Sequence, residues 1–175
     1  MALREILHYP EPLLKQKSVP VTEFNDELKQ LANDMVETMY AAPGVGLAAP
    51  QIGALQRLII LDCSGKDEPD DLLVAVNPEI IAAEGASLEE EGCLSVPGYW
   101  ANVKRSAIAT FRYQDTDGNV CEREAEGLLA IGIQHEIDHL DGVLFVDRLS
   151  PLKRSIFRKK YMKMLQEKEA ENANA

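Results

Sequence analysis

The segment LLAIGIQHEIDHL, bounded by Gly127 and Gly142, constrains the fold more than any other part of the chain. It contains no proline, and its apolar residues recur at helical spacing, so it reads as a helix running from Gly127 through Leu140. Leu128, Ile131, His135 and His139 fall on one face of that helix, with Gly132 beside them. Two histidines four residues apart with a glutamate after the first form HExxH, a spacing by which one helix grips a metal and presents a general base. The rest of the chain must wrap this helix closely enough to bury it and still leave one side of the metal open.

A catalytic metal of this kind needs three protein ligands and one open coordination position. In one large class of peptidases the motif continues to a further histidine three residues after the glycine, but here that position is Phe145. The only other histidine is His8, near the N-terminus, and Asp141 and Asp147 are the only acids close downstream before Glu167. Cysteine is left. Cys63 and Cys121 read as core or half-buried thiols, whereas Cys93 stands in EEEGCLSVPG behind a glycine that lets the backbone turn sharply. Alone, Cys93 would be taken for an inert buried thiol; beside a two-histidine helix short of one ligand, it is the leading candidate.

The surroundings are those of one soluble α+β domain. A helix over Leu28, Leu31, Met35 and Met39 should be capped by Asn25 or Asp26 and end near Pro43-Gly44. GVGLAAPQIG reads as a loop of small residues, RLIILD as a buried strand, and SGKDEPDD as an acidic surface loop. LLVAVNPEII reads as strand broken at Asn77-Pro78. KRSAIATFRYQ and VCEREAE form a hairpin about Asp117-Gly118-Asn119. Ser150-Pro151 opens a last amphipathic helix. Together these give antiparallel strands packed around a central helix carrying HExxH, with a C-terminal helix. Residues 1–166 form the single domain, and 167–175 a polar tail expected to fray.

Three widely spaced cysteines with no apolar run of signal-peptide length at the start argue against a disulfide framework and for a cytoplasmic protein. The net charge of −11 disfavours broad nucleic-acid binding. LKRSIFRKKYMK nevertheless concentrates Lys153, Arg154, Arg158, Lys159, Lys160 and Lys163 with no acid among them. No segment is suited to crossing a bilayer.

Three segments in order, GVGLAAPQ (44–51), EGCLS (91–95) and HEIDH (135–139), resemble the peptide deformylases, and the likeness runs from HYPEPLL near the start to DRLSPLKR before the last helix. The resemblance implies hydrolysis of the N-formyl group from N-formylmethionyl peptides and nascent chains. It implies Cys93, His135 and His139 as ligands to one divalent ion, with the third ligand on a loop upstream of the helix. Fe2+ is implied as the native ion, with Zn2+, Ni2+ or Co2+ as substitutes, although thiolate and imidazole donors alone would suit Zn2+.

Glu136 is expected to take a proton from the attacking water and pass it to the leaving amine. Gln51 and the backbone N–H of Leu94 are expected to donate to the oxyanion. Val45 and Gly46 should pair with an extended peptide, and Leu128, Ile131 and the gap at Gly132 should form the methionine slot. The sequence departs from a common family pattern at Gly132, where cysteine is frequent, and at Glu89, near a pocket position that is apolar in some relatives. By likeness to long-tailed bacterial members, the basic helix is expected to contact the ribosome.

Three rival readings are distinguishable. A zinc endopeptidase or aminopeptidase would need a ligand other than Cys93. A silent structural site would need a fourth ligand, for which His8 is the candidate. An RNA- or ribosome-binding module would make the basic helix the main function.

Overall fold

A computed structural model describes residues 2–64 and 71–173. Most of the acidic stretch SGKDEPDD therefore lies outside the described residues, as do the last two residues of the tail. The helices are α1 (Asp26–Ala41), α2 (Gly127–Leu140) and α3 (Pro151–Ala173). The strands are β1 (Gly46–Ala48), β2 (Leu58–Asp62), β3 (Leu72–Glu84), β4 (Ser87–Cys93), β5 (Val96–Arg105), β6 (Ile108–Gln114) and β7 (Val120–Glu126). Five strands form an antiparallel sheet in the order β1-β2-β3-β6-β7, and β4 and β5 form a separate two-stranded sheet.

β2 explains the layering. Every residue of LIILD is buried, and successive side chains of a strand point to opposite faces. Leu58 and Ile60 pack with Leu28, Met35 and Met39 of α1. Ile59 and Leu61 pack with Ala130, Ile133 and Leu140 of α2. A strand covered on both faces needs an unbroken apolar run, and this one has it. The start of α1 is fixed as the sequence suggests, with Asn25 Oδ1 accepting the Leu28 N–H at 3.0 Å.

Three local features differ from the sequence reading. GVGLAAPQIG is not irregular: residues 46–48 pair with Leu61, Ile60 and Ile59, and Ala49–Ile52 form a 3-10 turn. Its small side chains allow this close approach of backbones. β3 is not broken at Asn77-Pro78. It continues through a register shift there, where proline's missing N–H costs no ladder bond. Asn77, at φ 50, exchanges side-chain bonds of 2.8 and 2.9 Å with the backbone of Val21. Cys93 lies at the end of β4, paired with Val96 of β5, rather than on a loop.

The segment before α1 ties the site together. The Leu7 N–H donates to the Gln51 carbonyl and the Tyr9 N–H to the Ser95 carbonyl, each at 2.7 Å. The Ser18 N–H and the Arg57 guanidinium both donate to the Leu140 carbonyl, at 2.8 and 3.1 Å, closing the C-terminal end of α2. Gly142 follows at φ 76, so close to the Lys15 carbonyl that a Cβ would lie 2.3 Å from that oxygen. α3 starts at Pro151, with Ser150 Oγ accepting from Lys153 N. It docks through Phe157 and Tyr161 onto Tyr9 and Tyr99. The helix continues to Ala173, because QEKEAENA is rich in good helix formers. No helix among the described residues is long and apolar enough to cross a membrane.

Candidate metal centre

One turn of α2 separates His135 from His139, and their rings stand 5.0 Å apart at an interplanar angle of 66°. The end of β4 brings Cys93 against them, with Sγ 3.3 Å from His139 Nε2. One ligand atom from each of the three lies within 4.8 Å of the others, the only such histidine, cysteine or acid group among the described residues. Donors about 2.0–2.3 Å from one ion stand roughly 3.3–3.8 Å apart in a tetrahedron, so the donor set fits a divalent metal. The buried His139 Nδ1 has no protein partner. His8 is exposed and outside the group.

Behind the ligands lies a charged network that the sequence reading did not sort from the acid run. Glu91 Oε1 is 2.9 Å from His135 Nδ1, which turns Nε2 toward Cys93 and His139. Arg105 forms two 2.9 Å bonds to Glu91 and a third, of 2.6 Å, to Asp138. Arg148 grips Asp138 from the other side at 2.6 and 2.7 Å. Glu91, Arg105 and Asp138 are buried, whereas Glu89 and Glu90 are exposed. Strand alternation alone does not mark Glu91, because Glu89, two residues before it, is exposed and the register shifts between Glu91 and Cys93.

Burial disfavours charge on both rings. At His135 the Cys93 thiol and Glu91 overcome it and hold the ring well above the ordinary histidine range. At His139, burial and then the neighbouring His135 hold the ring well below that range.

Glu136 is buried beside the group, with Oε1 4.0 Å from His135 Nε2 and Oε2 without a partner. Burial pushes its carboxyl up to about 7, against the pull of His135 and Arg105. Gln51 is buried, and its two ends are fixed separately. Oε1 accepts the Ala48 N–H at 2.9 Å, while Nε2 donates to Ser95 Oγ at 3.0 Å and lies 3.6 Å from Cys93 Sγ. Leu94 occupies the turn between β4 and β5, its side chain so near Gly44 that a Cβ there would lie 2.7 Å from Cδ1.

Of the residues read as substrate contacts, Gly46 lies closest to the chemistry: a Cβ on it would be 2.7 Å from Glu136 Oε1. Val45 and Leu128 are exposed, and Ile131 is half-buried. The space beside Gly132 is not an open gap. Leu61 fills it, and a Cβ on Gly132 would lie 2.9 Å from Leu61 Cδ2. Leu61 also abuts Gly46, at 2.8 Å from the same kind of added Cβ.

The Polypeptide deformylase family pattern matches residues 3–155. The chain is 50% identical over 161 residues to the peptide deformylase of Thermodesulfovibrio yellowstonii, covering 92% of this chain and 98% of that one. It is 52% identical over 164 residues to that of Acidobacterium capsulatum, covering 94% and 96%. The crystal structure of a peptide deformylase from Legionella pneumophila superposes with a TM-score of 0.88 at 47% identity, covering 96% of this chain and 98% of that one.

Proposed function

Since the chain belongs to the peptide deformylase family and is a metal-dependent hydrolase removing the N-formyl group of N-formylmethionyl peptides, we propose how its residues divide the work. Cys93, His135 and His139 hold the divalent ion and Glu136 moves the proton. The observation that carries this reading is the convergence of the three donors beside a buried carboxylate. When bound, the ion supplies a Lewis acid for the formyl carbonyl and lowers the pKa of a water at its open position.

Glu136 accepts the water's proton and returns it to the amine that departs as the C–N bond breaks, leaving formate and a free N-terminus. Its Oε2 has no competing protein partner, which leaves that oxygen free to take the proton. The Gln51 NH2 and the Leu94 N–H donate to the oxyanion. Support for Gln51 lies in its amide orientation, because the Ala48 bond holds Oε1 away and turns Nε2 toward Cys93. Val45 and Gly46 pair with the peptide backbone as an added strand. Leu128, Ile131 and Gly132 line the methionine slot, with Leu61 forming its floor at Gly132.

Fe2+ is the proposed native ion, following the family likeness, with Zn2+, Ni2+ or Co2+ able to replace it. The proposed setting is the cytoplasm, on nascent chains, with α3 facing the ribosome. Lys153, Arg158, Lys159, Lys160 and Lys163 are all exposed, which leaves their charge available to an anionic surface. Reversing charge at Arg154, Arg158 and Lys160 should weaken co-sedimentation with ribosomes and leave cleavage of a short formyl-peptide unchanged.

The deciding experiment is anaerobic purification with metal and thiol analysis and a formate-release assay on formyl-Met-Ala-Ser. Wild type should carry one metal and release formate. Glu136→Ala should keep the metal and lose activity by about 10²–10⁴-fold. Cys93→Ala should lose the metal. Metal retained in Cys93→Ala with no formate from the wild type would overturn the assignment.

A further inference from the structure

A cavity of about 360 Å³ lies against α2 on another face from the one that carries His135 and His139. Gly85 and Ala86, the end of β5, α2 and Arg148 wall it. The wall is fixed by Gln134, whose Oε1 accepts the Ser106 N–H at 3.0 Å while Nε2 donates to the Ser106 carbonyl at 2.9 Å. Among the described residues Asp138 is the one acid lining the cavity, and both its oxygens are already bonded. Oδ2 accepts from Arg105 and Arg148 at 2.6 Å each, and Oδ1 accepts from Arg148 at 2.7 Å.

Three donors of the lining remain uncommitted. Among the described residues the Lys104 ammonium, the Ser106 hydroxyl and Arg148 Nη1 have no hydrogen-bond or ion-pair partner. Glu91 balances Arg105 and Asp138 balances Arg148, so the exposed Lys104 leaves these side chains a positive charge in excess. An ammonium, a hydroxyl and a guanidinium edge suit the oxygens of a phosphate or carboxylate. Ile80 and Ile137 add an apolar surface for the body that carries such a group, and the volume is that of a small-molecule site. The same wall leads to the metal centre. Arg148 holds Asp138, Asp138 holds Arg105, Arg105 holds Glu91 and Glu91 holds His135, with no step longer than 2.9 Å.

We propose that this cavity is a second ligand site, for a small organic oxyanion (a phosphate monoester or a carboxylate with an apolar body), and that its occupancy slows loss of the metal. An oxyanion on Lys104 and Arg148 restrains Arg148 and, through it, the side chains behind His135. Ordered partners behind a ligand strengthen metal binding. The link to the metal rests on His135 being a ligand; the oxyanion site does not.

The test titrates zinc-loaded enzyme with phenyl phosphate, benzoate and the neutral benzamide by calorimetry. At least one of the two anions should bind with Kd below about 1 mM, and benzamide should not. Tighter phenyl phosphate would assign the natural ligand to the phosphate monoesters, and tighter benzoate to the carboxylates. Lys104→Glu should weaken the anion at least about tenfold, and Ser106→Ala should weaken it less. Zinc loss to the neutral chelator 1,10-phenanthroline should slow about fivefold with the anion bound in wild type, and not in Lys104→Glu. No binding of either anion, or equal binding in wild type and Lys104→Glu, as an anion seated on the zinc would give, would overturn the site. Zinc loss unchanged by a bound anion would overturn its link to the metal. A wild type that takes up no zinc before titration would strike the metal centre itself, a result read separately from metal content.

Discussion

Glu91 and His135 are joined side chain to side chain, 2.9 Å from carboxylate oxygen to ring Nδ1, and the same carboxylate holds Arg105 through two further bonds. One buried acid therefore orients a metal ligand and neutralises a buried guanidinium. Burial raises the Glu91 carboxyl, but Arg105 and then His135 outweigh it and hold it below the ordinary glutamate range. Replacing Glu91 with Ala should weaken metal affinity about 10- to 100-fold, as loss of a partner behind a ligand does. It should also destabilise the fold by about 3 kcal/mol by leaving Arg105 partly unpaired. Chelator competition and urea unfolding read the two effects separately, and Glu91→Gln, which keeps an acceptor for the ring, should lose less metal affinity.

Gly46 should resist any side chain. In Gly46→Ala the new methyl would meet Glu136 Oε1 and Leu61 Cδ2 at under 3 Å. The carboxylate is then pushed from its place while Cys93, His135 and His139 are untouched. The expected result is full metal content with kcat reduced about 10²-fold or more, within the range that acid–base groups contribute. Metal analysis beside formate release would reveal an unchanged kcat, which would place Glu136 elsewhere in the working enzyme.

Gly142 and Gly53 offer a matched pair, both in the left-handed region. Alanine at Gly53, where nothing lies within 4 Å of the added Cβ, should cost about 1–2 kcal/mol of backbone strain alone. Alanine at Gly142 adds a collision with the Lys15 backbone and should cost about 3 kcal/mol or more. Denaturant midpoints of the two variants should differ clearly. Equal losses would mean that the chain at Lys15 yields.

Asp62 predicts an acid-side dependence. Burial raises its carboxyl, but the donors from Ser64 and Tyr40 outweigh that and bring it below the ordinary aspartate value. A depressed folded pKa means stability that is fully present above the unfolded value, about 3.9, and lost as pH falls through the folded one. Thermal unfolding between about pH 4 and pH 2 should therefore fall less steeply in Asp62→Asn than in wild type. Parallel curves would show that another acid carries the transition.

What the sequence revealed follows from the range of each interaction. The α1 cap, the α2 helix and the Asp117-Gly118-Asn119 hairpin are set within a few residues, and the structure has all three. The metal group was readable because HExxH fixes two ligands locally, and Cys93, the leading candidate for the third, was then implied by the family resemblance. Glu91 was not, because GluGluGlu looks like solvated surface until Arg105 is known to face its third member. The pairing of β4 with β5 is local, but which of the three acids is buried with Arg105 and Asp138 depends on how that hairpin packs against α2. The same holds for Gly132, whose apparent gap is filled by Leu61 from a strand far upstream in the chain.

The bonds that close the C-terminal end of α2 have a temporal meaning. Ribosomes release a polypeptide from its N-terminus, and Ser18, Arg57, Glu91 and Arg105 all precede the helix they will hold. The receptors for the ligand helix therefore emerge before the helix does. Of the three metal-binding side chains, His135 and His139 follow Cys93 in the chain, so the set is complete only once most of the polypeptide has been made.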